Sequence, residues 1–108
     1  ITMNMEYCHK GSRERLIGMN PDDALVKLFS NELQVTRETP PAFIVLSNDD
    51  KSVPAENSVN YYLALLKNNV SATMHIYPTG GHGWGFRDSF LYKRQWTEEL
   101  EKWLRTIL

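Results

Sequence analysis

The sequence predicts an α/β fold, a short parallel sheet with flanking helices, and two strand-like stretches with the segment between them carry that prediction. Residues 42–46, Ala42-Phe43-Ile44-Val45-Leu46, are all apolar and mostly β-branched or aromatic, the pattern of a strand covered on both faces. Residues 72–77 read as a second strand. The segment between them has helical length, with Val59, Tyr62, Leu63 and Leu66 on one face, and such a strand–helix–strand unit closes as a right-handed parallel crossover. Parallel sheets normally hold several strands, so this small one reads as the C-terminal part of a larger α/β domain whose N-terminal strands lie outside these residues.

Taken in order, Ile1, Met3 and Met5 alternate with Thr2 and Asn4, which predicts a short opening strand. Ser12 as a cap and Gly18 as a stop bracket one or two helical turns. Asn20-Pro21-Asp22-Asp23 is a stronger start: Asn20 can cap, Pro21 suits the first helical position, and two carboxylates meet the positive end of the helix dipole. That helix is expected to reach about Ser30, with Ala24, Leu25, Leu28 and Phe29 as its apolar stripe. Residues 31–41 show no period, and Pro40-Pro41 forbids helix there. After the first strong strand, residues 47–52 form a polar exit loop, Pro54 opens the linking helix and Asn68-Asn69 ends it. The second strand runs into Pro78-Thr79-Gly80-Gly81-His82-Gly83-Trp84-Gly85, with glycine at four of the six positions 80–85. From about Ser89 a last helix aligns Tyr92, Trp96, Leu100, Trp103, Leu104 and Ile107 as a core-facing stripe. The expected organisation is a leading segment, 1–41, and a βαβα unit, 42–108.

Composition narrows the function. With 42% hydrophobic and 23% charged residues, the 108-residue chain is neither disordered, collagenous nor a coiled coil. Twelve basic against thirteen acidic residues leave a formal charge of −1, which gives no long-range attraction to phosphate and argues against nucleic-acid and membrane partners. No apolar run approaches the roughly twenty residues of a membrane helix. The single cysteine, Cys8, excludes an internal disulfide and leaves the redox compartment open. The chain opens on Ile1 with no basic and then apolar leader, so it reads as processed, truncated or excised.

In an open α/β sheet, ligands bind beyond the carboxyl ends of the strands. Two loops leave from there, Asn48-Asp49-Asp50-Lys51-Ser52-Val53-Pro54 and Gly80-Gly81-His82-Gly83-Trp84-Gly85. Neighbouring parallel strands would bring an acid and a histidine to one edge, where the carboxylate fixes the imidazole tautomer and the other ring nitrogen serves as a general base. The same residues also fit a plainer role, Asp49 and Asp50 as turn and cap residues and His82 as a loop histidine among glycines that supply turn conformations. A zinc site falls short of its three or four ligands, and His9 and His75 do not complete it. Neither a dinucleotide fingerprint nor a Gly-Lys-Ser/Thr phosphate loop occurs, so neither metal nor cofactor is expected.

Three stretches together, Pro40-Pro41-Ala42-Phe43-Ile44-Val45-Leu46, Asp49-Asp50-Lys51-Ser52-Val53-Pro54-Ala55-Glu56-Asn57-Ser58 and His75-Ile76-Tyr77-Pro78-Thr79-Gly80-Gly81-His82-Gly83-Trp84-Gly85, resemble the end of an α/β-hydrolase. The resemblance is to the branch with dienelactone hydrolase and the prolyl oligopeptidase group. Within it, bacterial acetyl-xylan or feruloyl esterase-like proteins, some named endo-1,4-beta-xylanase, are nearest. Tyr7-Cys8-His9-Lys10-Gly11-Ser12-Arg13 and Ser30-Asn31-Glu32-Leu33-Gln34-Val35 resemble the excursion those proteins carry after the sixth strand. The resemblance implies a triad acid at Asp50, with Asp49 as fallback, and a triad base at His82. It implies an acylated polysaccharide or small ester as substrate, with Trp84 and Phe86 at the mouth of the site to stack on a sugar or ferulate ring. The resemblance is compatible with a secreted or periplasmic setting, while the residues themselves leave the compartment unknown.

The sequence departs from that pattern in one respect. No Gly-x-Ser-x-Gly occurs in the 108 residues, so the nucleophile elbow and its oxyanion amide are not among them, and the chain alone is expected to be inactive. A non-catalytic interaction or sugar-binding module, and a serine peptidase of the prolyl oligopeptidase type, are the alternative readings. The apolar strands are also expected to leave uncovered surface, so that the chain self-associates.

Overall fold

A computed structural model describes residues 1–108. Helix α1 spans Lys10–Ile17, α2 spans Asp23–Phe29, and a 3-10 turn at Asn31–Leu33 leads towards strand β1, Ala42–Ser47. Helix α3, Glu56–Lys67, crosses to strand β2, Ala72–Tyr77, and helix α4, Lys93–Ile107, closes the chain. Strands β1 and β2 pair in parallel, from Ala42 opposite Ala72 to Ser47 opposite Tyr77. The βαβα order of residues 42–108 is thus as expected, and both strands end on the same rung.

The expected opening strand is not formed. Thr2 and Met3 are both buried while Ile1 and Met5 are exposed, so burial does not alternate. Their amides go to side chains: Thr2 N–H donates to Asn57 Oδ1 (3.0 Å) and Met3 N–H to Ser30 Oγ (2.9 Å). Caps also shift. The imidazole of His9 accepts from Ser12 N–H and caps α1 three residues before the expected cap, while Asp22, not Asn20, caps α2 through Leu25 N–H (2.8 Å). Gly18 stops α1 as expected, at φ +83°. Helix α2 has no buried residue, so its expected apolar stripe is not a core face.

In α3 the buried positions are Asn57 and Leu65, whereas Leu63 and Leu66 are exposed. The helix is turned by its polar first turn: Asn57 Nδ2 donates to Tyr7 O (2.6 Å) and Pro54 O (3.0 Å) while its Oδ1 takes Thr2 N–H. Of the four residues expected on the buried face, Val59 and Tyr62 are half-buried and Leu63 and Leu66 are exposed, while the Asn57 amide is buried. Helix α4 starts at Lys93, since residues between Trp84 and Lys93 are used in successive turns. Its expected stripe is realised at Trp96, Leu100 and Trp103, with Leu104 and Ile107 exposed towards the end.

The core is aromatic. Trp84 and Phe90 stack with ring centroids 3.9 Å apart, Trp96 lies against Trp84, and Phe43, Val45, Tyr77, Tyr92 and Leu100 pack around them. This cluster ties α4 and the loop after β2 onto the carboxyl half of the sheet. Of β1 itself only Ser47 is fully buried; residues 42–46 are half-buried rather than covered on both faces.

Candidate active site

The rung that pairs Ser47 with Tyr77 sends two loops out side by side. In the first, Asp50 Oδ1 accepts the amides of Ser52 and Val53, each at 2.9 Å, so the carboxylate is fixed by its own turn just before α3. Its second oxygen, Oδ2, lies 2.8 Å from His82 Nδ1. Partial burial opposes ionisation of Asp50, yet the hydrogen bonds from Val53, His82 and Ser52 outweigh it and hold the carboxyl below its ordinary value. An ionised Asp50 has only lone pairs to offer, so Nδ1 carries the proton and Nε2 is the basic nitrogen. The acid is shielded, with 11% of its side chain exposed, whereas the imidazole is open at 56%.

The histidine loop is anchored from below. Ser47 Oγ receives the indole N–H of Trp84 (2.7 Å) and donates to Thr79 O (3.3 Å). Gly80 passes so close to this pair that a Cβ there would sit 2.5 Å from the Phe90 ring and 2.6 Å from Ser47 Oγ, and its φ of +141° also calls for glycine. Asp49, the fallback acid of the sequence, does not reach the imidazole; its carboxylate accepts the amides of Gly81 (2.8 Å) and Gly80 (3.4 Å). Beside the Asp50–His82 pair lies a cleft of about 340 Å³, with Val45, Leu46, Val53, Trp84 and Trp96 as its apolar lining and Ser47, Ser58, Asp50 and His82 as its polar lining.

The two aromatic candidates part company. Trp84 borders the cleft, but at 9% exposure it has one face on Phe90 and its N–H on Ser47, so the expectation that it offers a free ring to a sugar is corrected: it is core. Phe86 is 65% exposed, its ring 4.8 Å from that of Trp96. Sequence reasoning missed Ser47 as the link between strand and loop. The available signal was a lone hydroxyl ending a run of five apolar residues, at the point where the strand meets the loop.

A parallel βαβ unit with an acid after one strand and a histidine after the next is part of an α/β-hydrolase-like fold. The profile of the prolyl oligopeptidase family matches residues 4–108, and the chain belongs to that family. It is 35% identical over 99% of its length to an acetylxylan esterase of Xylanibacter ruminicola and 39% identical over 71% to endo-1,4-beta-xylanase B of Butyrivibrio fibrisolvens. The chain spans 23% and 12% of the lengths of those two proteins. Among solved structures, an acetyl ester-xyloside bifunctional hydrolase from Caldicellulosiruptor lactoaceticus superposes with a TM-score of 0.93 at 42% identity, over 99% of this chain and 39% of that one. A carboxylesterase from Lactobacillus plantarum gives 0.66 at 25% identity, over 83% of this chain and 39% of that one.

Proposed function

We propose that these residues supply the acid and base of a serine ester hydrolase that removes acyl groups from plant polysaccharide of the xylan type. The observation that carries this reading is the 2.8 Å contact between His82 Nδ1 and a shielded, ionised Asp50, with Nε2 left as the base beside a cleft. Nε2 takes the proton of a serine hydroxyl as its oxygen attacks the ester carbonyl. It then returns the proton to the departing sugar oxygen as the carbon–oxygen bond breaks, and a water molecule repeats the sequence on the acyl-enzyme. Asp50 holds the tautomer and stabilises the imidazolium formed in between. The serine and the oxyanion donors come from chain outside these 108 residues. Ester rather than peptide hydrolysis is favoured because the relatives matched over most of this chain bear ester-hydrolase names. Phe86 is the aromatic that meets the substrate. Taken alone, the 108-residue polypeptide is inactive and associates with itself.

The test is hydrolysis of acetylated xylo-oligosaccharide and of a short aryl ester. The longer polypeptide that includes these residues turns both over, and its His82→Ala variant loses about 10⁴-fold or more in kcat, as removal of a triad member does. Residues 1–108 alone give no rate above buffer. An active His82→Ala variant, or brisk turnover by the 108 residues themselves, would overturn the reading.

A further inference from the structure

We infer that Asp49 is a positioning residue for His82, dividing the work of the adjacent carboxylates: Asp50 holds the imidazole and Asp49 holds the backbone beneath it. The inference rests on the proposed role of His82 as the base. His82 stands on a loop with little stiffness of its own, since Gly80, Gly81, Gly83 and Gly85 all adopt positive φ and glycine has wide conformational freedom. Successive amides in such a stretch form a concavity suited to an anion. Here the Asp49 carboxylate fills it, with Oδ1 2.8 Å from Gly81 N and Oδ2 3.4 Å from Gly80 N. Because Asp49 and Asp50 are consecutive, the acid loop grips the histidine loop at two points, the main chain at Gly80–Gly81 and the ring at Nδ1. One attachment leaves the ring free to swing about the other. Two fix the direction in which Nε2 faces.

A displaced base of about 1 Å costs up to roughly 100-fold in rate, so Asp49→Ala in the longer, active polypeptide is expected to lower kcat by about 10- to 100-fold with KM within about twofold. The low-field proton resonance of the His82 Nδ1–H in contact with Asp50 should broaden or vanish in the same variant. Asp49→Asn keeps an acceptor oxygen for Gly81 N–H and should retain both the resonance and most of kcat, and it covers the case in which the alanine variant fails to fold. Asp49→Ala with unchanged kcat and resonance would overturn the inference, as would an Asp49→Asn variant as impaired as the alanine one. His82→Ala in parallel separates the two readings. If that variant stays active, the base assignment fails; if it is dead while Asp49→Ala is normal, only the role of Asp49 fails.

Discussion

At the scale of single residues, the site rests on how many partners one carboxylate can satisfy. Asp50 accepts two backbone amides and an imidazole, and these outweigh partial burial to hold its carboxyl below the ordinary 3.8. A carboxyl whose folded value is depressed stabilises the fold above its unfolded value, and that contribution is lost as pH falls through the lower folded value. Asp50→Asn should therefore be less stable than the parent at neutral pH, and the gap should narrow as the pH is taken below 3.8. Urea midpoints of the two proteins at neutral pH and near pH 3 measure this; a gap that stays constant or widens in acid contradicts the assignment. That an acid loop and a histidine loop would meet at one end of the sheet was legible in the sequence, because each follows a strand of the same parallel pair. The choice between Asp49 and Asp50 rested on resemblance alone. A one-residue difference in an irregular loop changes which oxygen faces the ring, and no periodicity records it.

At the scale of elements, strands β1 and β2 and the crossover between them were readable from a continuous apolar run in β1, a short strand-like stretch in β2 and a segment of helical length between them. Helix faces and the N-terminal segment were not, because polar side chains decide them. Asn57 fixes the rotation of α3, and the pull of Asn57 and Ser30 on the first amides leaves residues 1–5 outside the sheet. The same kind of polar link joins the sheet to the histidine loop. Ser47 and Trp84 share a buried 2.7 Å hydrogen bond. Ser47→Ala leaves a buried indole N–H without an acceptor, at a cost of about 1–3 kcal/mol, and Trp84→Phe removes the donor along with packing area. Because both changes break one contact, the double variant should be less damaged than the sum of the singles, by about 0.5–3 kcal/mol. Denaturant unfolding of the four proteins gives that coupling directly, and simple additivity contradicts the link.

At the scale of the whole molecule, the 108 residues are flat and open. Their extents are 42 × 33 × 18 Å and their radius of gyration is 15.0 Å, against about 13 Å for a compact chain of this length. The accessible surface of 7353 Å² exceeds by roughly a fifth the ~6,200 Å² usual for 12.5 kDa. Only 12 of 108 residues are buried, and Leu63, Leu66 and Ile76 stand exposed around a two-stranded sheet whose strands pair only with each other. In the Caldicellulosiruptor hydrolase the matching structure is 39% of the solved chain. Lacking such neighbours, residues 1–108 are expected to form dimers or larger species at micromolar concentration, through sheet edges and apolar faces. Light scattering decides it: a stable monomer with strong amide-exchange protection would mean that this surface is tolerated in water.

The pairing of Ser47 with Tyr77 also acts as a ruler. Asp50 and His82 are 32 residues apart, but each is measured from the same rung of the sheet, so the length of the path through α3 does not enter their distance. Residues added on the outer surface of α3 or at its far end would leave the acid and the imidazole in contact. A slip of one residue between the strands would shift one loop by about 3.3 Å along the other and turn every side chain of the slipped strand to the opposite face. That displacement exceeds the 2.8 Å bond itself. The tolerance of this pair to change is therefore highly uneven, wide for insertions along the crossover and almost nil for the alignment of six residues on each strand.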